Sequence, residues 1–166
     1  DIQRSRGLGD VYKRQDTALG LTVLFQGFIH NLEDLTKELR REGVKIPSQN
    51  AADVLLGAFY FWGDECFARL NGRFAIAVFD HQKQQLVLAR DAMGLEPLYL
   101  AHDVAGKGLR FGSNLPMLGR LSDVDSSLDP LGLHNFLSFN SAVPAPFKLL
   151  KGVKKLVPGT IAYFNH

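Results

Sequence analysis

The sequence predicts an α+β domain built around an antiparallel sheet, and two observations carry this prediction. Residues 70–100 alternate short apolar runs with polar turns, the pattern of three antiparallel strands in meander order. The apolar runs are 74–79, 86–89 and 98–100. On the N-terminal side, apolar residues recur at helical spacing in 32–39 and fill most of 51–62, which predicts two helices packed on the sheet. A chain of 166 residues can bury one core, so we expect one domain.

One strand, two helices and a short helical turn are predicted before the meander. The strand is residues 19–25, which are apolar and rich in β-branched side chains. Each helix follows an asparagine that can cap it and ends at a glycine that can terminate it. These caps and stops are, in chain order, Asn31, Gly43, Asn50 and Gly63. The helical turn is expected at 64–69.

After the meander the sequence predicts two more strands and two more helices. The predicted segments are a strand at 109–112, a short helix capped by Ser113 and Asn114, a helix from Asp129-Pro130 to about residue 139, and a strand at 160–164. Between the last two, residues 143–146 are expected to form an extended loop set by its prolines. The four lysines of 148–155 are expected to form a solvated edge.

The first fifteen residues differ from the rest of the chain. Residues 1–15 show neither strand nor helix periodicity and resemble a translated adapter or vector sequence, so we exclude them from the fold and assign the domain to 16–166. They carry four basic and two acidic side chains, which accounts for the whole net charge of +2. A basic arm for nucleic acid is the less favoured interpretation, because no series of stacking aromatics accompanies these charges.

The composition excludes several functional classes. Residues 16–166 are balanced in charge and give no electrostatic argument for binding nucleic acid or an anionic membrane. No apolar run reaches the ~20 residues of a membrane-spanning helix. The single cysteine, Cys66, rules out an internal disulfide and favours a reducing compartment, so a cytoplasmic location is expected. The five histidines are scattered, and no metal site is predicted.

A match of five motifs in a fixed order runs from about residue 21 to residue 163, which is nearly all of the chain after the first fifteen residues. The motifs are VLFQGFIHN at 23–31, the helix start at 50–56, the passage 63–74 that contains LNGRF, ARDxxGxxPLY at 89–99, and the segment 143–159 from VPAP to PG. No single motif is specific, but their order and spacing together are. The chain resembles the class II glutamine amidotransferase domain of the asparagine synthetase (glutamine-hydrolysing) family.

The resemblance implies a fold, a reaction and partners. The fold is a four-layer αββα sandwich of the N-terminal nucleophile hydrolase type, incomplete here at its N-terminus. The family's domain hydrolyses glutamine and passes ammonia to a synthetase domain that follows in the same chain. ATP and Mg are implied for that downstream domain and no cofactor for this one. The implied partners are glutamine and the chain's own C-terminal synthetase domain, without nucleic acid or membrane, and a homodimer is compatible with the sequence.

The resemblance also implies which residues occupy the glutamine site. Gln26-Gly27 stands where the family has the Asn-Gly pair that supplies oxyanion-hole donors, and the Gln26 carboxamide lies one methylene further out. Phe28 replaces a glutamate and Ala51 an aspartate, the two carboxylates that bind the α-ammonium of glutamine. Asp53 is not expected to replace the aspartate, because two helical steps turn its side chain about 200° away. These substitutions predict a degenerate pocket.

No catalytic residue is predicted in this chain. The family's nucleophile is an N-terminal cysteine whose own α-amino group is the general base, whereas residue one here is Asp1. Cys66 lies in the connector before the meander and is expected to pack as a small apolar residue. The chain as given is therefore expected to be inactive as a glutaminase.

Other interpretations stay open at this point. Phe28 and Ala51 are equally well explained as core residues that fill the place of a substrate, and Arg90 with Asp91 as a structural ion pair between strand end and turn. The domain is then a degenerate scaffold, without glutaminase activity, of a related synthetase of the β-lactam-forming or peptide-cyclising type. A non-enzymatic interaction module that uses the lysine-bearing edge 148–155 is the least favoured alternative.

Overall fold

The computed structural model describes residues 12–103, 106, 108–139 and 148–165. The chain divides into two compact units, one formed by the chain up to Glu96 together with the segment from Ile161, and the other by Pro97–Thr160. The predicted loop at 143–146 and most of the segment 1–15 lie outside the described residues.

The described residues form eight strands and five helices. In chain order they are β1 (Tyr12–Asp16), β2 (Leu21–Ile29), α1 (Leu32–Arg41), α2 (Ala51–Trp62), α3 (Glu65–Ala68), β3 (Gly72–Asp80), β4 (Gln85–Arg90), β5 (Tyr99–His102), β6 (Leu109–Gly112), α4 (Leu115–Leu118), α5 (Pro130–Phe139), β7 (Val153–Lys155) and β8 (Ile161–Asn165). The sheets are antiparallel throughout, in agreement with the predicted α+β class.

The first unit is a five-stranded sheet with strand order β1-β2-β3-β4-β8. Alternate residues of β2, β3 and β4 join one apolar cluster with α1 and α2, because side chains alternate between the two faces of a strand. Its fully buried members include Val23, Leu39, Val54, Ile76 and Val87. One face of this sheet is therefore the helix face, and the candidate site lies at one end of the other face.

The predicted boundaries of α2 are confirmed by its cap and its stop. The Asn50 side chain accepts a hydrogen bond from the Asp53 amide at 2.8 Å, which satisfies one of the unpaired donors of the first turn. At the other end Gly63 adopts a φ of 58°, and its amide donates to Phe59 O at 2.9 Å.

The second unit contains a three-stranded sheet with strand order β6-β5-β7 and the helices α4 and α5. Asp129 begins α5 as predicted, since its carboxylate accepts from the amides of Leu131 and Gly132. Strand β7 forms an edge of this sheet and belongs to the lysine-bearing segment, of which Lys151 and Lys154 are exposed.

The predicted three-stranded meander is wrong in its third strand. β3 and β4 pair as expected, but β4 takes β8 as its second neighbour, whereas β5 pairs with β6 and β7 in the other sheet. The apolar run at 98–100 predicts a strand correctly, but a run of three residues carries no information about which edge it joins. Pairing across distant segments is decided by the fold as a whole.

The exclusion of residues 12–15 from the fold is also wrong. Tyr12–Asp16 pairs with β2 over five residues, from Tyr12 opposite Phe25 to Asp16 opposite Leu21. Four of its five residues are exposed, so an edge strand of this kind shows no apolar alternation that a sequence pattern would detect. The adapter or vector origin of the segment stays a prediction.

Asn31 begins α1 as predicted but does not cap it with its side chain. Its carboxamide instead donates to Arg69 O and accepts from the amide of Asn71, both at 2.9 Å. Asn31 has a ψ of 25° rather than the extended value usual for a capping residue. Asn31 therefore joins the end of β2 to the turn that begins β3.

Candidate functional site

At the end that carries Gln26-Gly27-Phe28, the paired backbones of β2 and β3 leave no room for a side chain at either of two glycines. Gly27 has a φ of +125°, and a Cβ added there would lie 2.1 Å from Arg73 O. The approach is mutual, since a Cβ added at Gly72 would lie 2.1 Å from Phe28 O. Both glycines are required because any side chain would overlap the backbone of the neighbouring strand. This close approach fixes where the side chains on either side of Gly27 leave the sheet.

The Gln26 side chain contacts a carboxylate that the sequence prediction did not single out. Its Nε2 donates to Oε2 of Glu96 at 3.2 Å. The other carboxylate oxygen of Glu96 lies 3.5 Å from Nη1 of Arg73 on β3. The Glu96 side chain is only 10% exposed, whereas that of Arg73 is 59% exposed. A buried carboxylate with one exposed counter-ion thus lies directly beside Gln26.

Arg90 and Asp91 hold the turn that presents Glu96. Arg90 Nε donates to Glu96 O at 2.7 Å, and a second guanidinium nitrogen donates to Gly94 O. The Asp91 carboxylate accepts from the amides of Leu95 at 2.9 Å and Glu96 at 3.0 Å. Both residues thus tie the end of β4 to the turn as predicted, but through charge-assisted hydrogen bonds to the backbone, and the ion pair between them stays a prediction. Both backbone polar groups of Glu96 are fixed in this way.

Phe28 is not a core residue, so that interpretation of its side chain is wrong. It is 56% exposed and makes an edge-to-face contact with His30 at a ring-centroid separation of 5.0 Å. Phe28 pairs directly opposite Arg73, and side chains in directly opposed positions of an antiparallel pair share one face. Gln26 and Phe28 share that face because they are two residues apart. An apolar ring therefore stands at this position with no charge of its own.

Ala51 lies on the other side of the sheet. It is half-buried and packs against the apolar cluster between the sheet and the helices. The structure thus brings Gln26 and Phe28 together on one face of β2 and places Ala51 with the helix face. Of the interpretations of Ala51, packing is the one its surroundings match.

Asp53 is engaged in contacts that hold the start of α2. Its carboxylate accepts from Ser48 Oγ at 2.6 Å and from Asn50 Nδ2 at 3.0 Å. Arg14 Nε of β1 lies 2.7 Å from its other oxygen, and the Asp53 side chain is only 4% exposed. A carboxylate with this set of partners is structural, in agreement with the prediction that Asp53 does not replace the missing aspartate.

The only cysteine of the chain, Cys66, cannot serve as a nucleophile in its present place. It is 1% exposed within the apolar cluster, as predicted. Burial, with a smaller contribution from the negative charge of Asp64, raises the pKa of its thiol to about 12. The thiolate is the reactive form of cysteine, so this thiol is inert at neutral pH. Within the described ranges no group of three or more His, Cys, Asp or Glu side chains is arranged to hold a metal ion.

Glu96 and Arg73 are the site residues that sequence reasoning missed. Glu96 lies 70 positions from Gln26 along the chain, and a contact over that separation leaves no local pattern. The available signal was an acidic residue directly before Pro97 in an otherwise apolar turn, and the signal at Arg73 was a charge inside the motif LNGRF.

The sequence matches the family described as "Glutamine amidotransferase domain" over residues 12–166. This chain therefore belongs to the glutamine amidotransferase domain family, as its motifs indicated. Within that family its relatives are asparagine synthetases, so it is a class II domain of the asparagine synthetase type.

Two relatives illustrate the match. Asparagine synthetase [glutamine-hydrolyzing] 3 of Bacillus subtilis (strain 168) is 30% identical over 144 residues, which cover 87% of this chain and 23% of the relative. A putative asparagine synthetase [glutamine-hydrolyzing] of Mycobacterium tuberculosis (strain ATCC 25618 / H37Rv) is 30% identical over 142 residues, which cover 84% of this chain and 22% of the relative. The chain spans less than a quarter of the length of these relatives.

Solved structures support the fold. The glutamine phosphoribosylpyrophosphate (PRPP) amidotransferase from B. subtilis, complexed with ADP and GMP, superposes with a TM-score of 0.57 over 98% of this chain and 28% of that chain, at 16% identity. A structure described as the allosteric regulatory enzyme of purine biosynthesis gives a TM-score of 0.58 with the same coverage and identity. At this identity the likeness concerns the fold alone, which is of the N-terminal nucleophile hydrolase type. No helix in the described part of the chain is both long enough and apolar enough to cross a membrane.

Proposed function

We propose that this chain is the glutamine-binding, ammonia-donating domain of a longer ATP-dependent, amide-forming ligase of the asparagine synthetase type. The observation that carries the proposal is the polar site at the close approach of β2 and β3, where Gln26-Gly27 lies beside the buried carboxylate of Glu96. It is supported by relatives named as glutamine-hydrolyzing asparagine synthetases that are more than four times as long as the matched region.

The proposal includes a division of labour within the longer protein. In this proposal the domain adopts the four-layer αββα sandwich that the family resemblance implies and supplies ammonia, whereas ATP and Mg belong to a following synthetase domain. None of the described residues is assigned to ATP or Mg in this proposal. The cytoplasm is the proposed location, since the lone thiol of Cys66 is free.

We further propose that the 166-residue chain alone does not hydrolyse glutamine. Its only thiol is the buried Cys66, whose pKa is raised to about 12. Nucleophilic catalysis by cysteine needs an accessible thiolate and an adjacent base.

A second candidate function is favoured by Phe28. An exposed aromatic ring stands where the resemblance implies a carboxylate, and Ala51 carries no charge either. Loss of both charged partners weakens the binding of an ammonium group by several orders of magnitude unless another carboxylate replaces them. In that case the domain is a catalytically inactive scaffold of a related synthetase that takes free ammonia or an amine.

The test compares the 166-residue chain with the longer protein encoded by the same gene. Both are incubated with glutamine, and the release of glutamate is followed with and without ATP and Mg. We expect glutamate release from the longer protein and none from the 166-residue chain. Glutamate release by the 166-residue chain overturns its assigned inactivity. A longer protein that uses free ammonia but never glutamine supports the scaffold function instead.

A further inference from the structure

Glu96 is a buried carboxylate whose position is fixed at every polar group. Its amide donates to Asp91, its carbonyl accepts from Arg90, and its two carboxylate oxygens lie beside Gln26 and Arg73. A turn that needed only to connect β4 to Pro97 would not require an acidic side chain at this depth. Burial of a carboxylate is costly unless the charge is paired, so its presence next to Gln26 calls for a cationic partner.

The cation that pairs with Glu96 in this structure is held loosely. Arg73 approaches Glu96 at 3.5 Å and is 59% exposed, whereas Arg14 approaches the buried Asp53 at 2.7 Å. An exposed guanidinium that turns into solvent stays hydrated, so the cost of breaking this pair falls on the buried carboxylate, which then needs another cation. The structure therefore contains a buried anion whose counter-ion approaches from the solvent side, at a longer distance than that of the Arg14–Asp53 pair.

Strand register connects this anion to position 28. Arg73 lies directly opposite Phe28 on β3, so the side chain that contacts Glu96 leaves the sheet beside the Phe28 ring. Phe28 itself supplies no charge. The negative charge at this end of the sheet is thus provided from the turn after β4, while β2 provides an apolar ring and the Gln26 carboxamide.

We propose that Glu96 binds the α-ammonium group of the amino-acid substrate and that Arg73 is the counter-ion which the ammonium displaces. This inference rests on the proposed function, because it takes glutamine as the ligand. Glutamine carries an ammonium that can replace the guanidinium on Oε1 while Oε2 continues to accept from Gln26. Glu96 then supplies the carboxylate that pairs with the ammonium, which neither Phe28 nor Ala51 can provide.

The test measures how much the binding of glutamine depends on its ammonium. The ¹⁵N-labelled 166-residue chain is titrated with L-glutamine and with 4-carbamoylbutanoate, the same molecule without the α-amino group, and the amide resonances of Gln26 and Gly27 are followed. We expect wild type to prefer glutamine by about tenfold or more, the effect of one charge-assisted hydrogen bond. Glu96→Gln should bind both ligands equally, and Arg73→Gln should keep the preference or strengthen it.

Two further variants make the result specific. Glu38→Gln removes a carboxylate from another arginine pair, with Arg69 at 2.8 Å, and should behave as wild type. Glu96→Asp keeps the negative charge with a shorter side chain. It should therefore retain part of the preference for glutamine that Glu96→Gln loses. The assignment of Glu96 is overturned if the Glu96→Gln variant still prefers glutamine or if Arg73→Gln abolishes the preference. Either result leaves glutamine binding by the domain intact. Absence of any saturable response of wild type to glutamine overturns both this inference and glutamine binding by the domain.

Discussion

Substitution of Gly27 by alanine tests the geometry on which the candidate site depends. An added Cβ would lie 2.1 Å from Arg73 O and 2.9 Å from Phe74 Cα, and both are backbone atoms of β3. The first distance is about 1.3 Å short of the 3.4 Å at which ordinary contact begins. These atoms cannot yield separately, because they belong to a ladder in which β2 and β3 pair over nine residues.

The expected cost of Gly27→Ala has two parts. Holding an L-residue at a positive φ costs roughly 1–2 kcal/mol. Forcing an extra carbon into closely packed surroundings costs about 1–3 kcal/mol more. We therefore expect the free energy of unfolding to fall by roughly 2–5 kcal/mol, a large part of the 5–15 kcal/mol that is typical of a natural domain.

Gly43→Ala provides the matched control. Gly43 also has a positive φ, +83°, but no atom lies within 4 Å of the added Cβ, so only the backbone cost of about 1–2 kcal/mol applies. Both variants are unfolded in urea and followed by circular dichroism, with the linear extrapolation applied to each. Equal losses in Gly27→Ala and Gly43→Ala would refute the close approach of β2 and β3.

Three further predictions concern buried polar groups. Asp91→Ala should lower the free energy of unfolding by about 3 kcal/mol or more, because two backbone amides of the following turn lose their charged acceptor. Arg14→Ala should lower it by about 1–2 kcal/mol, since Asp53 stays buried with neutral partners only. Cys66 should react with iodoacetamide at pH 8 only as the chain unfolds in urea. The thiol of Cys66 is also harder to ionise in the folded chain than in the unfolded chain, so ionisation favours the unfolded state once the pH exceeds the pKa of unfolded cysteine. The stability of wild type relative to Cys66→Ala should therefore fall as pH rises from about 9 to about 12, by up to about 4 kcal/mol.

Each of these predictions has its own control or contrary result. Asp34→Ala removes an exposed carboxylate that lies 3.9 Å from Lys37 and should change stability by less than about 0.5 kcal/mol. Lys13→Ala is the control for Arg14→Ala, because the two residues are neighbours in β1 and Lys13 is exposed. An Asp91→Ala loss no larger than that of Asp34→Ala, or an Arg14→Ala loss no larger than that of Lys13→Ala, contradicts the corresponding role. Rapid alkylation of folded protein at pH 8 contradicts the burial of Cys66.

The elements predicted correctly are those marked by a sequence pattern within the element itself, such as a capping residue, a terminating glycine or an apolar run. The second helix was predicted correctly from Asn50 to Gly63, because a capping side chain and a terminating glycine are short-range features. The strand at Gly72–Asp80 was detected for a similar reason, since residues 74–79 are continuously apolar and follow an Asn-Gly turn. Long-range pairing was not predictable in this way. The partners of β4, β5 and β1 depend on which edges meet, and no pattern within a single strand encodes that.

The candidate site was predicted in part for the same physical reason. Gln26 and Phe28 were identified by their motif, and the structure places them on one face of β2. Ala51 comes from the same motif comparison but lies with the helix face. Glu96 was not predicted as a site residue, because it is recognised only by its contact with Gln26, 70 residues away, and by its burial. Both exist only in the folded chain.

Strand β1, which the sequence patterns did not predict, covers an edge of the sheet that would otherwise be open to pairing. β2 is nine residues long and carries no charge, so its bare edge would invite another chain to pair with it. β1 pairs along that edge and, among the described residues, is the outermost strand of the sheet, with Lys13, Arg14 and Asp16 on it. Charged side chains on an edge oppose cross-β self-association. We therefore expect Tyr12–Asp16, whatever their origin, to make this edge of the sheet less prone to self-association than an uncovered β2 would be.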